Sequence, residues 1–140
     1  MTKSPIFAVQ KAIYETLIND ADVMAYVGRN SAGQPQVYDS PPANARYPYI
    51  LIGEDSFSRQ DWYHVAEPTV QGFTQQEGRM TEVKKLAGLL HAALDIELPV
   101  EGFTTTEWSF EETDFYRDPE SGTEMVDCSF RYMLDPDQGE

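Results

Sequence analysis

The segment from Met125 to Leu134 alternates between apolar and polar side chains, and this alternation constrains the fold more than any other feature. Successive side chains of a strand point to opposite faces of its sheet. One face of this strand carries Val126, Cys128, Phe130 and Tyr132, and the other carries Asp127, Ser129 and Arg131. The pattern predicts a sheet whose buried face is covered by another layer.

Two amphipathic helices are the expected cover. The first runs from about Ser4 to Asn19, because Ser4-Pro5 is a good helix start and apolar residues then recur at helical spacing. The second runs from Glu77 to Asp95. Its apolar face consists of Val83, Leu86, Leu90, Ala93 and Leu94. Between the two, Asp20 can cap a short helix that Gly28 would end.

The remaining strands are short or interrupted. Val37-Tyr38 can begin a strand that the following prolines stop. The apolar run Tyr49–Ile52, closed by Gly53, is typical of a strand buried on both faces. Ser56–Glu67 is interpreted as a long loop, and a strand resumes over Thr69–Thr74.

The last third of the chain predicts an antiparallel hairpin. The β-branched and aromatic segment Thr104–Phe115 would pair with Met125–Leu134 across a turn at Asp118–Gly122. The element order therefore predicts an α+β fold, with an antiparallel or mixed sheet of four or five strands and two main helices packed on one face. We expect a single domain over residues 1–134 and an acidic disordered tail over residues 135–140.

The net charge of −14 is unevenly distributed along the 140 residues. Residues 1–94 hold 10 acids and 8 bases, whereas residues 95–140 hold 14 acids and only two bases, Arg117 and Arg131. Binding to a phosphate backbone needs clustered Lys and Arg, so specific nucleic-acid binding is disfavoured. The acidic excess suits solubility.

The sequence contains no recognisable catalytic motif. It has no H-E-x-x-H, no G-x-S-x-G and no phosphate-binding glycine loop. His64 is expected in the long loop, and His91 on the surface of the second helix or half-buried there. The acids near the last turn do not match the spacing of an EF-hand. The single cysteine, Cys128, is expected to be a buried strand thiol. We therefore predict no catalytic activity, no cofactor and no metal.

No segment has the length and apolarity of a membrane span, and the N-terminus does not look like a signal peptide. The chain is accordingly expected in the cytoplasm of the producing cell, with no membrane partner.

Several aromatic residues fall in or beside segments interpreted as loops. Such residues either pack onto the core or anchor another subunit, because Tyr, Trp and Phe are enriched at the centres of interfaces. The candidate interface residues are Phe57, Trp62, Tyr63, Phe115 and Tyr116.

An ordered set of short motifs resembles the tail terminator or tail-completion proteins of long-tailed phages and gene transfer agents. The set consists of Ala12-Ile13-Tyr14-Glu15-Thr16-Leu17 with Asp20, Val37-Tyr38-Asp39-Ser40-Pro41-Pro42, Tyr47-Pro48-Tyr49-Ile50-Leu51-Ile52-Gly53-Glu54, Asp61-Trp62, Gly78-Arg79 and Ala93-Leu94-Asp95. The resemblance covers roughly residues 6 to 134. Phe73-Thr74 departs from it, since many relatives carry Trp-Ser there.

The resemblance implies a structural virion protein. Proteins of this family form a hexameric ring on the head-proximal end of the tail tube, stop tube polymerisation and join the tail to the head connector. DNA passes through the ring without specific binding. The implied partners are further copies of the chain, the major tail tube protein and the head–tail connector or stopper, with final localisation at the head–tail junction of the particle.

An acidic surface at a DNA conduit would keep the DNA backbone from adhering. The candidate lumen or axial residues are Glu111, Glu112, Asp114, Glu120 and Glu124. Three other functions are left open by the residues: a head-completion or connector adaptor, a small acidic metal-binding or hydrolytic domain, and a DNA mimic.

Overall fold

The computed structural model describes residues 4–43, 45–75 and 80–137. Within these ranges, three helices and five strands follow one another. In chain order they are α1 (Ile6–Ile18), α2 (Ala21–Val27), β1 (Val37–Tyr38), β2 (Tyr49–Arg59), β3 (His64–Gln75), α3 (Thr81–Leu94), β4 (Phe103–Arg117) and β5 (Thr123–Pro136).

The strands form one mixed sheet in the order β1-β2-β3-β5-β4. β1 pairs with β2 in parallel, and all other neighbours are antiparallel. Helices α1 and α3 pack on the face that holds Val126, Cys128, Phe130 and Tyr132, all of which are buried. The predicted α+β class, the sheet and the alternation of β5 are therefore confirmed.

The residues predicted to begin and end the short helix α2 do so in the structure. Asp20 Oδ1 accepts hydrogen bonds of 3.0 Å from the backbone N–H groups of Asp22 and Val23, which begin α2. Gly28 ends that helix with a φ of 67°, a conformation that glycine adopts without strain. α1 begins at Ile6, two residues later than expected. α3 is described from Thr81, and Glu77–Arg79, where the sequence places its start, lie outside the described residues.

The prediction of a long loop over Ser56–Glu67 is wrong. β2 continues to Arg59 and β3 starts at His64, so the segment is a β-hairpin whose turn is closed by a 2.8 Å bond from Gln60 N–H to Tyr63 C=O. One extra residue in β2 shifts the register between Ile52 and Asp55. This bulge breaks the two-residue alternation on which sequence interpretation relies, so the strand looked shorter than it is.

Two further expectations need correction. Tyr49–Ile52 is not buried on both faces, because only Ile50 and Ile52 are buried while Tyr49 and Leu51 stay partly exposed. The acidic tail expected from residue 135 starts later, since β5 runs to Pro136 and Asp137 N–H donates to Gly102 C=O at 3.0 Å. Residues 138–140 lie outside the described residues.

The buried side-chain amide of Gln36 forms hydrogen bonds with the segment that connects β1 and β2. Gln36 is 2% exposed, and its Nε2 donates to Arg46 C=O at 2.6 Å and to Pro48 C=O at 3.2 Å. Its Oε1 accepts from Arg46 N–H at 2.9 Å and from the Tyr38 hydroxyl at 2.8 Å. Backbone groups of an irregular segment are thereby satisfied without a strand partner.

α3 approaches the centre of the sheet closely at Gly72. A methyl carbon at this glycine would lie 2.5 Å from Leu86 Cδ2 and 3.1 Å from Val126 Cγ1. We predict that Gly72→Ala lowers the free energy of unfolding by about 1–3 kcal/mol, because overpacking forces the helix or the strand to shift. Urea unfolding of the purified protein measures the change.

Gly88→Ala is the matched control. Gly88 lies on the exposed side of α3, where an added methyl carbon meets no atom within 4 Å. Its replacement should raise the free energy of unfolding by about 0.5–1 kcal/mol, since glycine is a poor helix residue. Equal stability of Gly72→Ala and the wild type would mean that Leu86 repacks freely and that this contact does not set the helix position.

Candidate assembly surfaces

β4 lies at one end of the sheet, and the helices cover only part of its helix-side face. Trp108, Phe110 and Phe115 face the same side as their buried partners on β5, yet each is between 37% and 45% exposed. We call these three residues the aromatic stripe. Within the described residues the outer edge of β4 pairs with no strand. Exposed aromatic side chains on a long edge strand are typical of a surface that another molecule covers.

The stripe stays partly exposed because α3 lies over β3 and β5 and contacts β4 less extensively. The His91 ring stacks on Phe110, with a centroid distance of 4.4 Å and an interplanar angle of 7°. Its Nε2 lies 2.8 Å from Thr113 Oγ1. Burial lowers the pKa of His91, and the nearby carboxylate of Asp95 opposes that shift. His91 thus joins the helix to the edge strand.

The sequence did not single out Trp108 and Phe110. One extra residue at Thr106 and another at Glu111 shift the register of β4, so its apolar side chains do not alternate evenly. Phe115 and Tyr116 were expected in or beside a loop, but both lie within β4. Phe115 belongs to the stripe, whereas Tyr116 points to the opposite face. A pattern search that allows one bulge would have recovered the stripe.

The hairpin of β2 and β3 brings the other candidate aromatics to a second place. Trp62 lies in its turn and is 70% exposed, with its ring 5.4 Å from that of Tyr63. Phe57 is partly buried and packs against the core, so it anchors the hairpin to the core. Trp62 is the candidate of this group that a partner can reach most fully.

The face of the sheet opposite the helices, here the open face, carries an aromatic row. Tyr49, Phe73, Met125 and Tyr116 are directly opposite one another across β2, β3, β5 and β4. The rings of Tyr49 and Phe73 stack at 4.8 Å, and all four side chains are partly or largely exposed. The row is a continuous apolar band at one end of the open face.

Carboxylates follow this row on the open face. Asp114 lies opposite Asp127, and Glu112 lies opposite Ser129. Burial and then the charge of Asp114 raise the pKa of Asp127. The other surface candidates, Glu111 and Glu120, are exposed at a β4 register shift and in the β4–β5 turn.

Glu124 is a correction, because it is fully buried and does not contribute to an acidic surface. It lies on the helix side of β5, opposite Thr74, whose hydroxyl donates to Glu124 Oε1 at 3.4 Å. The alternation of β5 extends two residues further towards the N-terminus than its apolar side chains do. A glutamate at a core-facing position was therefore mistaken for a surface residue.

The side chains of His64 and Cys128, which could in principle react, are both buried. His64 is buried in β3 and not in a loop; burial and the charge of Arg59 lower its pKa. Burial raises the pKa of Cys128 to about 12, which keeps the thiol protonated. Among the described residues, no group of three His, Cys, Asp or Glu side chains is arranged to hold a metal ion. No helix in the same ranges is long and apolar enough to cross a membrane.

Comparison with known proteins assigns the chain to one family. No curated protein sequence matches the chain significantly. A chain of a structure described as the virion of a native gene transfer agent particle is similar in fold, with a TM-score of 0.79, 23% identity, and coverage of 96% of this chain and 99% of that one. The gp17 protein of bacteriophage SPP1 is similar with a TM-score of 0.57, 20% identity, and coverage of 96% and 92%. The family model described as tail completion protein gp17 matches residues 11–135. The chain therefore belongs to the tail completion protein gp17 family.

Proposed function

We propose that this protein is a tail terminator. Copies of the chain cap the head-proximal end of the tail tube as a closed ring, stop further addition of tube subunits and join the tail to the head connector. DNA passes through the ring. The observation that carries the proposal is the uncovered aromatic stripe of β4, in a chain that belongs to a family of tail completion proteins.

A closed ring needs two unlike contact surfaces on each subunit, because its interfaces are head-to-tail. The aromatic stripe supplies one surface at the β4 end of the sheet. The β1 end of the sheet is four strands away and supplies the other. A single self-complementary patch would produce a dimer in place of a ring.

The hairpin turn is our candidate for an axial contact with the tube or the connector. Trp62 projects from this turn, away from the core cluster formed by the helices and the sheet. An exposed tryptophan at the end of a hairpin is well suited to be a binding hot spot. Phe57 and Tyr63 support it from the same hairpin.

The carboxylates provide a reason why DNA would not adhere to the ring. We assign Glu111, Glu112, Asp114 and Glu120 to the lumen or to an axial surface, and we leave out the buried Glu124. Negative charges within about 10 Å of a DNA backbone at 0.1 M salt repel it measurably. Asp127 adds to this surface through its position opposite Asp114.

The proposal predicts a change of assembly state when tube ends are supplied. We expect the purified chain, mixed with tail tube protein, to form rings or to cap tubes, so that tube length stops increasing. Light scattering after size exclusion gives the mass, and negative-stain images give the tube ends. A chain that stays monomeric and leaves tube growth unchanged would contradict the terminator function, and selective binding to the connector would indicate an adaptor.

A second prediction concerns the hairpin turn. Trp62→Ala should weaken binding to its axial partner by roughly tenfold to a hundredfold, as expected for a hot spot, without lowering the melting temperature. The matched control is Gln60→Ala in the same turn, which removes an exposed side chain without an aromatic ring. Titration of each variant against tube ends and against the connector measures the effect. Equal binding by both variants would remove Trp62 from the axial surface.

A further inference from the structure

We propose that the outer edge of β4 receives a strand from a different protein, and that the side chains of this strand alternate between apolar and basic. The inference goes beyond the proposed ring and does not depend on it.

β4 offers its backbone along its outer edge. The strand spans fifteen residues, from Phe103 to Arg117, and within the described ranges it pairs with β5 alone. The N–H and C=O groups that face away from β5 can therefore pair with an added strand. Addition of an extended segment to a sheet edge is a recurring mode of recognition, in which backbone hydrogen bonds give affinity and side chains give specificity.

The two faces of β4 differ in chemistry. The aromatic stripe lies on the helix side. Glu107, Glu112 and Asp114, here the three carboxylates, lie on the open side, because their partners on β5 point away from the helices. The same arrangement occurs on both sides of the extra residue at Glu111. The edge therefore presents aromatic side chains on one face and carboxylates on the other.

A strand is the element that can meet both faces at once. Its successive side chains point to opposite faces of the sheet. Apolar side chains on the helix side would pack beside the aromatic stripe, and basic side chains at the alternate positions would face the three carboxylates. A helix packed on the stripe would leave the carboxylates and the backbone edge without partners. An alternating apolar and basic sequence thus fits the whole edge.

The three carboxylates favour a basic partner. Within residues 4–43, 45–75 and 80–137 none of them forms an ion pair. Asp114 lies directly opposite Asp127 of β5, and like charges at such positions repel each other. A base on the added strand would offset this repulsion. Under the proposed function, Glu112 and Asp114 then lie on the axial surface, where a partner meets them, and not in the lumen.

A second copy of the chain cannot supply this strand. No two of its ten Lys and Arg residues are separated by a single residue, so bases alternate with other side chains nowhere in the sequence. Two copies of β4 paired antiparallel would bring carboxylates near carboxylates. The donor is therefore a different protein. Its strand lies in the plane of the sheet, beside the helix-side surface that the ring contact uses.

Synthetic peptides test the added strand. The probe is a labelled peptide as long as β4 in which valine and lysine alternate, and fluorescence anisotropy measures its binding to the whole chain. The control peptide has the same composition but groups the residues in pairs, so it keeps the charge and loses the period of a strand. We expect the alternating peptide to bind about tenfold more tightly, because it alone can meet both faces. Hydrogen exchange should slow at the β4 amides that face away from β5.

Charge variants test the face that the bases meet. The double variant Glu112→Gln/Asp114→Asn should weaken binding of the alternating peptide by roughly fivefold to tenfold, because it removes two cross-strand ion pairs. Glu101→Gln/Glu120→Gln is the matched control, since both residues are exposed, lie outside β4 and carry the same charge. This control should change the affinity by less than about twofold.

Equal binding of the two peptides, or equal effects of the two double variants, would mean that the acidic chain merely attracts cations, and would overturn the added strand. Exchange that slows elsewhere and not along β4 would overturn its location. If circular dichroism shows that a variant is unfolded, the comparison of the two peptides on the wild type decides. These outcomes are separate from tube capping, which the measurement of tube length decides.

Discussion

The close packing of α3 against β3 and β5 determines which surfaces of this chain are left for partners. Gly72 has no side chain, so Leu86 approaches the sheet at its centre, and the buried side of β5 is filled by large apolar residues. With α3 held over these two strands, and α1 beside it over β1 and β2, the helical layer reaches only part of β4. An apolar face that the chain does not cover by itself remains available for another molecule.

An exposed edge strand of fifteen residues would be a liability in a monomer, because its free backbone groups can pair with any other strand. Glu107, Glu111 and Glu112 lie on this strand, and charges of one sign discourage two such edges from pairing with each other. Charge on β4 therefore disfavours the association of two such edges.

The acidic residues of the last third of the chain are concentrated at one end of the molecule. They lie there because β4 and β5 are neighbours at one end of the sheet. Segregation of charge along the sequence does not by itself mean segregation in space. Here the strand order separates the β4 end from the loop that holds Arg29 and Arg46. Glu124 shows the converse, since a residue within the acidic segment contributes nothing to the surface.

The sequence by itself determined the elements whose signals are local. The apolar spacing of α1 and α3, the Asp20 cap, the turn at Asp118–Gly122 and the alternation of β5 each depend on residues that are close in the chain. The ordered motifs also indicated the family whose sequence model matches residues 11–135. Trp62 was one of the five aromatic interface candidates that the sequence offered.

Tertiary structure alone decided the features that depend on pairing partners. Register shifts in β2 and β4 break the alternation, so the hairpin over residues 56–67 and the aromatic stripe were not visible in the pattern. The exposure of Trp108 and the burial of Glu124 depend on tertiary packing, which no local spacing encodes. Periodicity shows which face of a strand is apolar, but only packing decides whether the same chain covers that face.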